Sequence, residues 1–256
     1  MCLLLVAKNS HPKFKFILAA NRDEFYNRES LPAYFWKEYP SLLAGKDLKE
    51  GGTWLGITKS GKLAAITNYR DIRNLKNNAP SRGMLTLNFL INEISPQHYY
   101  EKLESNGSSY NGYNLIFGNL NQLFYFSNVS KEFKELQNGI YGLSNSLLDV
   151  PWAKVEQSKE RLSVLLSKPS FEMNDLFDIL FDETTADDDT LPDTGLSIDL
   201  ERILSAIFIK TQGYGTRSST IILVNKKSEV AFIEKTYHPE SDNFTTKDFN
   251  FTLDLI

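Results

Sequence analysis

Two short apolar runs at the start of the chain place the strongest constraint on its fold. The first follows Cys2 and covers Leu3 to Ala7, and the second covers residues 14–20 and ends at Asn21-Arg22-Asp23-Glu24. Runs of this length on either side of a turn predict an antiparallel strand pair. Because the end of the second strand of a hairpin lies beside the start of the first, we expect Arg22 and Asp23 to lie close to Cys2.

Cys2 is the only cysteine of the chain and directly follows Met1. If Met1 is removed, residue 2 carries both a thiol and a free α-amine. The pKa of such an amine is about 8, so it can act as a general base near neutral pH, and a neighbouring arginine favours the thiolate. This combination predicts an N-terminal nucleophile that works like an N-terminal threonine. The alternative is that Cys2 is an inert strand residue, as buried free cysteines often are.

The composition limits the class of protein. The chain has 256 residues, of which 41% are hydrophobic and 23% charged, as in ordinary globular domains. The net charge of −4 disfavours nucleic acid as a partner. One cysteine and three scattered histidines predict no disulfide, no metal site and no cofactor. The apolar start is too short for a signal peptide, so we expect a cytoplasmic protein without a transmembrane segment; nothing indicates an oligomeric state.

The rest of the chain predicts hairpins separated by groups of helices. Hairpins are predicted within residues 51–68, 113–128 and 220–235, with one more strand at 140–145. Helices are predicted at residues 84–94, 96–103, 151–166, 171–181 and 198–204. This order predicts an α+β fold with antiparallel sheet. Since no linker or repeat divides the chain, we predict a single domain over residues 1–256.

Four further segments are less regular. Residues 25–39 are rich in aromatics and predict an ordered loop, which could wall an apolar ligand pocket or pack over the edge of the core. Gly51-Gly52 could let the backbone approach a ligand closely or could form a tight turn. The acidic residues 182–193 predict a solvated loop. The tail from Tyr237 onward is polar and loosely specified.

Several blocks carry a family resemblance. The tetrad Asn21-Arg22-Asp23-Glu24 after Met1-Cys2 resembles the NRDE-motif family, also called the transport and Golgi organisation protein family. Similar blocks follow in family order over about residues 1–235 and include residues 51–56, 67–70, 81–83, 110–115, 142–145, 151–152, 191–195 and 214–217.

That family in turn resembles the N-terminal-nucleophile hydrolases, in the cysteine branch that contains penicillin V acylase and bile-salt hydrolase. The resemblance implies a four-layer αββα sandwich in which two stacked antiparallel sheets lie between helix layers. It also implies an active site with Cys2 as nucleophile and base, Arg22 beside the thiol, Asp23 on the α-amine, Asn68 or Asn145 in the oxyanion hole, and Arg217 completing the charge network. Glu24 is the alternative to Asp23, because the arginine and aspartate of the acylases are not adjacent. The same blocks supply candidate ligand-binding residues, namely Asn21, Glu24, Trp54, Tyr69 and Arg70.

The resemblance implies three kinds of function. The first is a hydrolase that cleaves a small-molecule, non-peptide amide C–N bond through Cys2. The second is a carrier for an acyl-lipid or haem-like ligand, and the third is a trafficking-related interaction protein. The joint presence of Arg22, Asp23, Asn145 and Arg217 favours the first two, although these residues could also form a buried structural network. Without an axial ligand other than Cys2, tight haem coordination is disfavoured. We therefore expect a hydrolase.

Overall fold

Antiparallel strands account for most of the regular secondary structure of the chain. The computed structural model describes residues 2–241 and 243–254, without the side chain of Cys2. The strands are β1 (Cys2–Lys8), β2 (Phe14–Phe25), β3 (Ser30–Phe35), β4 (Leu42–Asp47), β5 (Leu55–Thr58), β6 (Lys62–Asn68), β7 (Tyr113–Asn119), β8 (Gln122–Ser127), β9 (Phe133–Leu136), β10 (Gly139–Leu143), β11 (Tyr214–Asn225), β12 (Glu229–Tyr237) and β13 (Phe244–Thr252). The helices are α1 (Gly83–Ile91), α2 (Pro96–Asn106), α3 (Ala153–Leu166), α4 (Met173–Leu180) and α5 (Ile198–Ser205).

The strands form two sheets. A six-stranded sheet has the order β10-β1-β2-β11-β12-β13, and a seven-stranded sheet runs in chain order from β3 to β9. All neighbouring strands in both sheets are antiparallel. The two ends of the chain, together with β10, therefore build one sheet, while residues 30–136 supply the strands of the other.

The alternation of side chains along the strands creates three apolar layers. In β1, Leu4 and Val6 belong to the core between the two sheets, whereas Leu3 and Leu5 pack beneath α3 and α4. On the far side of the seven-stranded sheet, α1 and α2 cover a third cluster that includes Phe117. The result is a four-layer αββα sandwich, as the resemblance implied. No helix within residues 2–241 and 243–254 is long and apolar enough to cross a membrane.

The three predicted hairpins are confirmed, but the loop predicted over residues 25–39 is wrong in part. Residues 30–35 form β3, which lies at the edge of the seven-stranded sheet. Pro32 hides this strand in the sequence, because proline cannot donate to a ladder of hydrogen bonds. It is tolerated here since the register of β3 against β4 shifts between Leu31 and Tyr34.

Strand β2 is longer than the apolar run that predicts it. Instead of ending at the tetrad, it continues to Phe25, and the tetrad pairs with residues 215–219 of β11. A register shift between Thr216 and Ser218 accompanies this pairing. A polar stretch is stable in the middle of a sheet here because buried polar side chains of β11, among them Thr216 and Ser219, lie beside it.

The C-terminal tail is also more ordered than the sequence indicates. Residues 244–252 form β13, which pairs with the whole of β12. The rings of Phe249 and Phe251 contact Phe35 of β3, and Leu253 is buried in the core between the sheets. Most other side chains of β13 are exposed, which is why its composition resembles that of a polar tail.

Candidate active site

The hairpin of β1 and β2 brings the two ends of the predicted site together. The backbone of Cys2 pairs directly with that of Arg22. This register confirms the predicted proximity of the two positions. Met1 and the side chain of Cys2 lie outside the described part of the chain.

The tetrad divides between the two faces of β2. Arg22 is buried and faces the seven-stranded sheet, with its guanidinium carbon 4.1 Å from the centre of the Trp54 ring. One guanidinium nitrogen also donates to the Ser30 hydroxyl at 3.3 Å. Packing on an aromatic face and burial hold this cation in one place beside the start of β1.

Asn21 faces the helices on the other side of the sheet. Its amide nitrogen donates to the carbonyls of Leu180 and Ile207, each at 2.9 Å, and its amide oxygen accepts from the Ser219 hydroxyl at 2.6 Å. These contacts satisfy the amide within the protein. The structure thus places Asn21 as a tie between β2 and the segment around α4, away from the predicted ligand.

Asp23 is almost fully buried on the same side as Asn21. Its carboxylate accepts from the Thr216 hydroxyl at 2.7 Å, and that hydroxyl oxygen in turn accepts from the backbone N–H of Ile209 at 2.9 Å. Burial raises the pKa of the Asp23 carboxyl, while the cations of Lys154 and Arg22 oppose the rise. A carboxylate in such a place is stable only with cationic partners.

Glu24 has a different environment. It is half-buried, and its carboxylate lies 3.8 Å from the guanidinium of Arg28. Arg28 makes a closer ion pair with Asp47 at 2.6 Å, and both partners are partly shielded from solvent. Glu24 therefore belongs to a charge network on the wall of a cavity, whereas the carboxylate of Asp23 is held by Thr216.

This cavity has a volume of about 220 Å³ and opens next to Arg22. Of the predicted residues, it is lined by Arg22, Asp23, Glu24, Trp54 and Asn68. Sequence reasoning did not identify the remaining charged and amide residues in its wall, which are Arg28, Asp47, Glu50, Arg82 and Asn111. Of these five residues, only Arg82 and Asn111 could have been identified from the sequence, because both lie in blocks of the family resemblance.

The two candidate oxyanion residues are in contact. The side-chain amide of Asn145 is fully buried and donates to the carbonyl of Asn68 at 3.0 Å. The carbonyl of Asn145 accepts from the backbone N–H of Arg70 at 2.8 Å. Asn145 thereby fixes the end of β6, and Asn68, which lines the cavity, is the amide better placed to meet a ligand there.

Besides Asn21 and Asn145, three predicted residues do not line the cavity. Tyr69 lines a separate groove with Gly112. Arg70 is buried in an ion pair with Glu201 at 2.9 Å and lies 4.6 Å from the ring of Trp152. Arg217 donates to three backbone carbonyls of the segment that follows the tetrad, those of Phe25, Tyr26 and Arg28. Arg217 is thus placed to shape this segment.

Gly51 and Gly52 allow a tight turn and a close contact within the protein backbone. Gly51 has a φ of +75°, which a tight turn requires and which favours glycine. A Cβ on Gly52 would lie 2.5 Å from the carbonyl carbon of Gly83, so Gly52 allows the first turn of α1 to approach closely. This contact positions residues 81–83 in the cavity wall. Among the described residues, no group of three or more His, Cys, Asp or Glu side chains could hold a metal ion.

The family model for Transport and Golgi organisation 2 matches residues 1–239. The chain belongs to this family. A Transport and Golgi organization protein 2 homolog of Bos taurus is 37% identical over 256 residues, covering 92% of each chain. The homolog of Homo sapiens is 35% identical over 275 residues, covering 99% of each.

The family resemblance predicted from the tetrad and its companion blocks is therefore confirmed. Among solved structures, a variant of the conjugated bile acid hydrolase from Clostridium perfringens superimposes with a TM-score of 0.50 and 11% identity, covering 100% of this chain and 98% of that chain. This likeness concerns the fold: the Transport and Golgi organisation 2 family member described here has the layered arrangement of an N-terminal-nucleophile hydrolase.

Proposed function

We propose that this protein is a hydrolase that cleaves a non-peptide amide C–N bond by acyl transfer through Cys2, after loss of Met1. The observation that carries the proposal is the pairing of Cys2 with Arg22 beside a cavity lined by charged and amide side chains. The solved structure with a similar fold is named a conjugated bile acid hydrolase, which supports hydrolytic chemistry on this scaffold.

Arg22 would activate the nucleophile. A fixed cation next to a thiol stabilises the thiolate and so lowers the thiol pKa. Arg22 suits this role because Trp54 and the two sheets hold its guanidinium beside the start of β1. The α-amine of Cys2 would take up the thiol proton, as a general base on the same residue.

Asp23 would hold the resulting ammonium group. Its burial and raised pKa mean that further positive charge, in addition to that of Lys154 and Arg22, would favour its ionised form, and an ammonium at the start of β1 would supply it. Glu24 is the weaker candidate for this role, because its carboxylate is engaged with Arg28 at the cavity wall.

The reaction would proceed in two steps. The thiolate attacks the carbonyl carbon of the amide, and the side chain of Asn68 donates to the oxygen on which negative charge develops. The C–N bond then breaks as the α-ammonium gives its proton to the leaving amine, which leaves a thioester on Cys2. Water attacks the thioester and loses a proton to the α-amine. The C–S bond breaks, the carboxylic acid is released, and the thiol recovers its proton.

The cavity also limits the ligand. At about 220 Å³ it is smaller than the 300–1,000 Å³ typical of sites for drug-sized ligands. Its charged wall suits the polar group around a scissile amide better than the apolar body of a haem-like molecule. We therefore propose hydrolysis rather than a carrier function for this site.

The first test is the state and reactivity of Cys2. Intact mass of untagged protein reports whether Met1 is present, and the mass gain with one equivalent of iodoacetamide at pH 7 reports the thiol alone, since the chain has one cysteine. We expect Met1 to be absent and folded protein to be alkylated about tenfold faster than protein unfolded in urea. Retention of Met1, or equal rates in the two states, would overturn the proposal.

A positive result leads to a substrate screen. Amides would be tested by detecting the released amine, with Cys2→Ser as the comparison. We expect Cys2→Ser to retain the fold, as judged by thermal unfolding, and to lose turnover.

A further inference from the structure

A second cavity, of about 760 Å³, lies between α1 and α2 on the outer face of the seven-stranded sheet. Buried side chains line its inner part, namely Leu85, Tyr99, Leu103 and Tyr113. Polar and charged side chains that include Asn88, Glu93 and Lys102 complete the lining, and Glu93 and Lys102 are exposed to solvent. This volume is within the range of sites for small organic ligands.

Tyr113 carries a buried hydroxyl that is not paired within the described part of the protein. The residue is 0% exposed, and its hydroxyl has no hydrogen-bond partner among the described residues. Tyr99, in the same cavity, differs because its hydroxyl donates to the carbonyl of Leu85 at 2.5 Å. Leaving a buried hydroxyl unpaired is unfavourable.

A phenylalanine would fill the position of Tyr113 without that penalty. The neighbouring aromatic side chains of this layer include Phe126, whose ring centre is 6.0 Å from that of Tyr113. The Tyr113 hydroxyl therefore indicates a partner that enters from the cavity.

The chemistry of the floor limits what this partner can be. Burial raises the pKa of both Tyr99 and Tyr113, so their hydroxyls stay protonated, and Tyr113 can donate. A partner with an acceptor can pair with this O–H group, and an anion would be desolvated against Leu85 and Leu103. A neutral acceptor on an apolar body meets both conditions.

We propose that this cavity binds a neutral organic molecule with an apolar body and a carbonyl oxygen that accepts from the Tyr113 hydroxyl. The proposal does not depend on the hydrolase chemistry. Pro80 lines both cavities, but Arg22, Asp23 and Asn68 do not line the larger one. A protein without hydrolase activity could still bind such a ligand, and the converse also holds.

Benzophenone and diphenylmethane form a matched pair of probes, since they have the same two rings and differ in the carbonyl. Their affinities for the full chain are measured by nuclear magnetic resonance titration. In Tyr113→Phe we expect benzophenone to bind about fivefold more weakly, the effect of one hydrogen bond, and diphenylmethane to bind as before. The melting temperature of the free variant should be unchanged or higher, because the lost hydroxyl had no partner.

Tyr125→Phe is the control for loss of a buried hydroxyl. The Tyr125 hydroxyl donates to the side-chain oxygen of Asn114 at 2.8 Å, outside this cavity. We expect this variant to be less stable than the wild type and to keep its preference for benzophenone.

Photolabelling with benzophenone locates the site independently. After irradiation, we expect adducts on peptides from residues 83–113, and much less adduct in Leu103→Trp, which narrows the cavity. The proposal would be overturned if Tyr113→Phe weakened the binding of both probes equally or left the affinity for benzophenone unchanged. Photoadducts spread over the protein surface would also overturn it.

Discussion

Arg22 is the residue on which the proposed chemistry depends most directly. It is buried against Trp54 and lies opposite Cys2 in the β1–β2 pair. We predict that Arg22→Met raises the pH midpoint of Cys2 alkylation by about one pH unit, the effect of losing about 1.4 kcal/mol of thiolate stabilisation. The measurement is the rate of iodoacetamide labelling between pH 5 and about 10, over the range in which a thiol titrates.

Arg217 provides the matched control for this prediction. Its guanidinium donates to the carbonyls of residues 25, 26 and 28. Arg217→Met removes the same charge from the same sheet, and we expect it to leave the labelling midpoint within about 0.3 pH units of the wild type. Equal shifts in both variants would mean that net charge, and not the position of Arg22, sets the reactivity of Cys2.

Glu234 is a second residue whose charge state affects the molecule. It is 1% exposed, and its carboxylate accepts from the backbone N–H of Ala33 at 2.7 Å and from the Thr220 hydroxyl at 3.3 Å. Burial raises the pKa of Glu234 from 4.5 to about 7, although the Arg22 charge opposes the rise. Between these two pH values the native state holds a proton that the unfolded chain has lost, so stability falls as the pH increases.

At about 1.4 kcal/mol for each pH unit, this effect amounts to about 3 kcal/mol between pH 4.5 and 7. We predict that Glu234→Gln flattens the pH dependence of the free energy of unfolding over this interval, as measured by urea denaturation. The amide keeps an oxygen for the N–H of Ala33. Parallel curves for variant and wild type would show that Glu234 stays charged throughout.

Helix α5 contains one partner of a buried ion pair. Ile198, Leu200 and Ile203 of this helix are exposed, while Glu201 and Leu204 are its buried residues. Glu201 lies 2.9 Å from Arg70, and its other oxygen accepts from the backbone N–H of Thr194 at 3.0 Å. Charge and hydrogen bonds at Glu201 therefore position the helix together with Leu204, which packs in a small cluster with Ala206 and Ile209.

Removing one partner of this pair leaves the other charge buried. We predict that Arg70→Met lowers the free energy of unfolding by about 3–5 kcal/mol, and that adding Glu201→Gln to it costs less than the two single changes summed. Glu38→Gln, in an exposed pair with Lys46 at 3.2 Å, should cost less than about 1 kcal/mol. Urea denaturation measures all four variants. Simple additivity would mean that the two charges are not coupled.

The elements that the sequence predicts are those with a local signal. The β1–β2 hairpin and its register at Cys2 and Arg22 follow from two apolar runs and a turn. The edge strand β3 is hidden by Pro32, and β13 is hidden because its stabilising partners lie on β12 and β3. Edge strands with exposed polar faces resemble loops until their neighbours are known.

In the candidate site, the residues that the sequence predicts are those that lie in the family blocks. The family blocks identify Arg22, Trp54 and Asn68, all of which line one cavity. They also single out Arg70, whose partner Glu201 is distant in sequence and lies in no block. The sequence therefore could not show that Arg70 forms an ion pair with helix α5. Contacts between distant segments separate a ligand-binding arginine from a structural one.

At the scale of the whole molecule, the family model matches residues 1–239, whereas the six-stranded sheet also includes β13, which lies beyond residue 239. Strand β13 covers the edge of β12, and Leu253 fills part of the core between the sheets. We predict that a chain ending at Pro239 is less stable by about 4 kcal/mol, since it loses one buried leucine, the contacts of Phe249 and Phe251 with Phe35, and the cover of a sheet edge.

Urea denaturation of the truncated chain tests this prediction, with Asp248→Asn in the full chain as a control at an exposed position of the same strand. The control should unfold within about 0.5 kcal/mol of the wild type. Because β12 also carries Glu234, exposing its edge should admit water to the carboxyl between the sheets and weaken the pH dependence of stability described above. A truncated chain as stable as the full one would show that residues 1–239 form a complete core and that β13 is an addition to it.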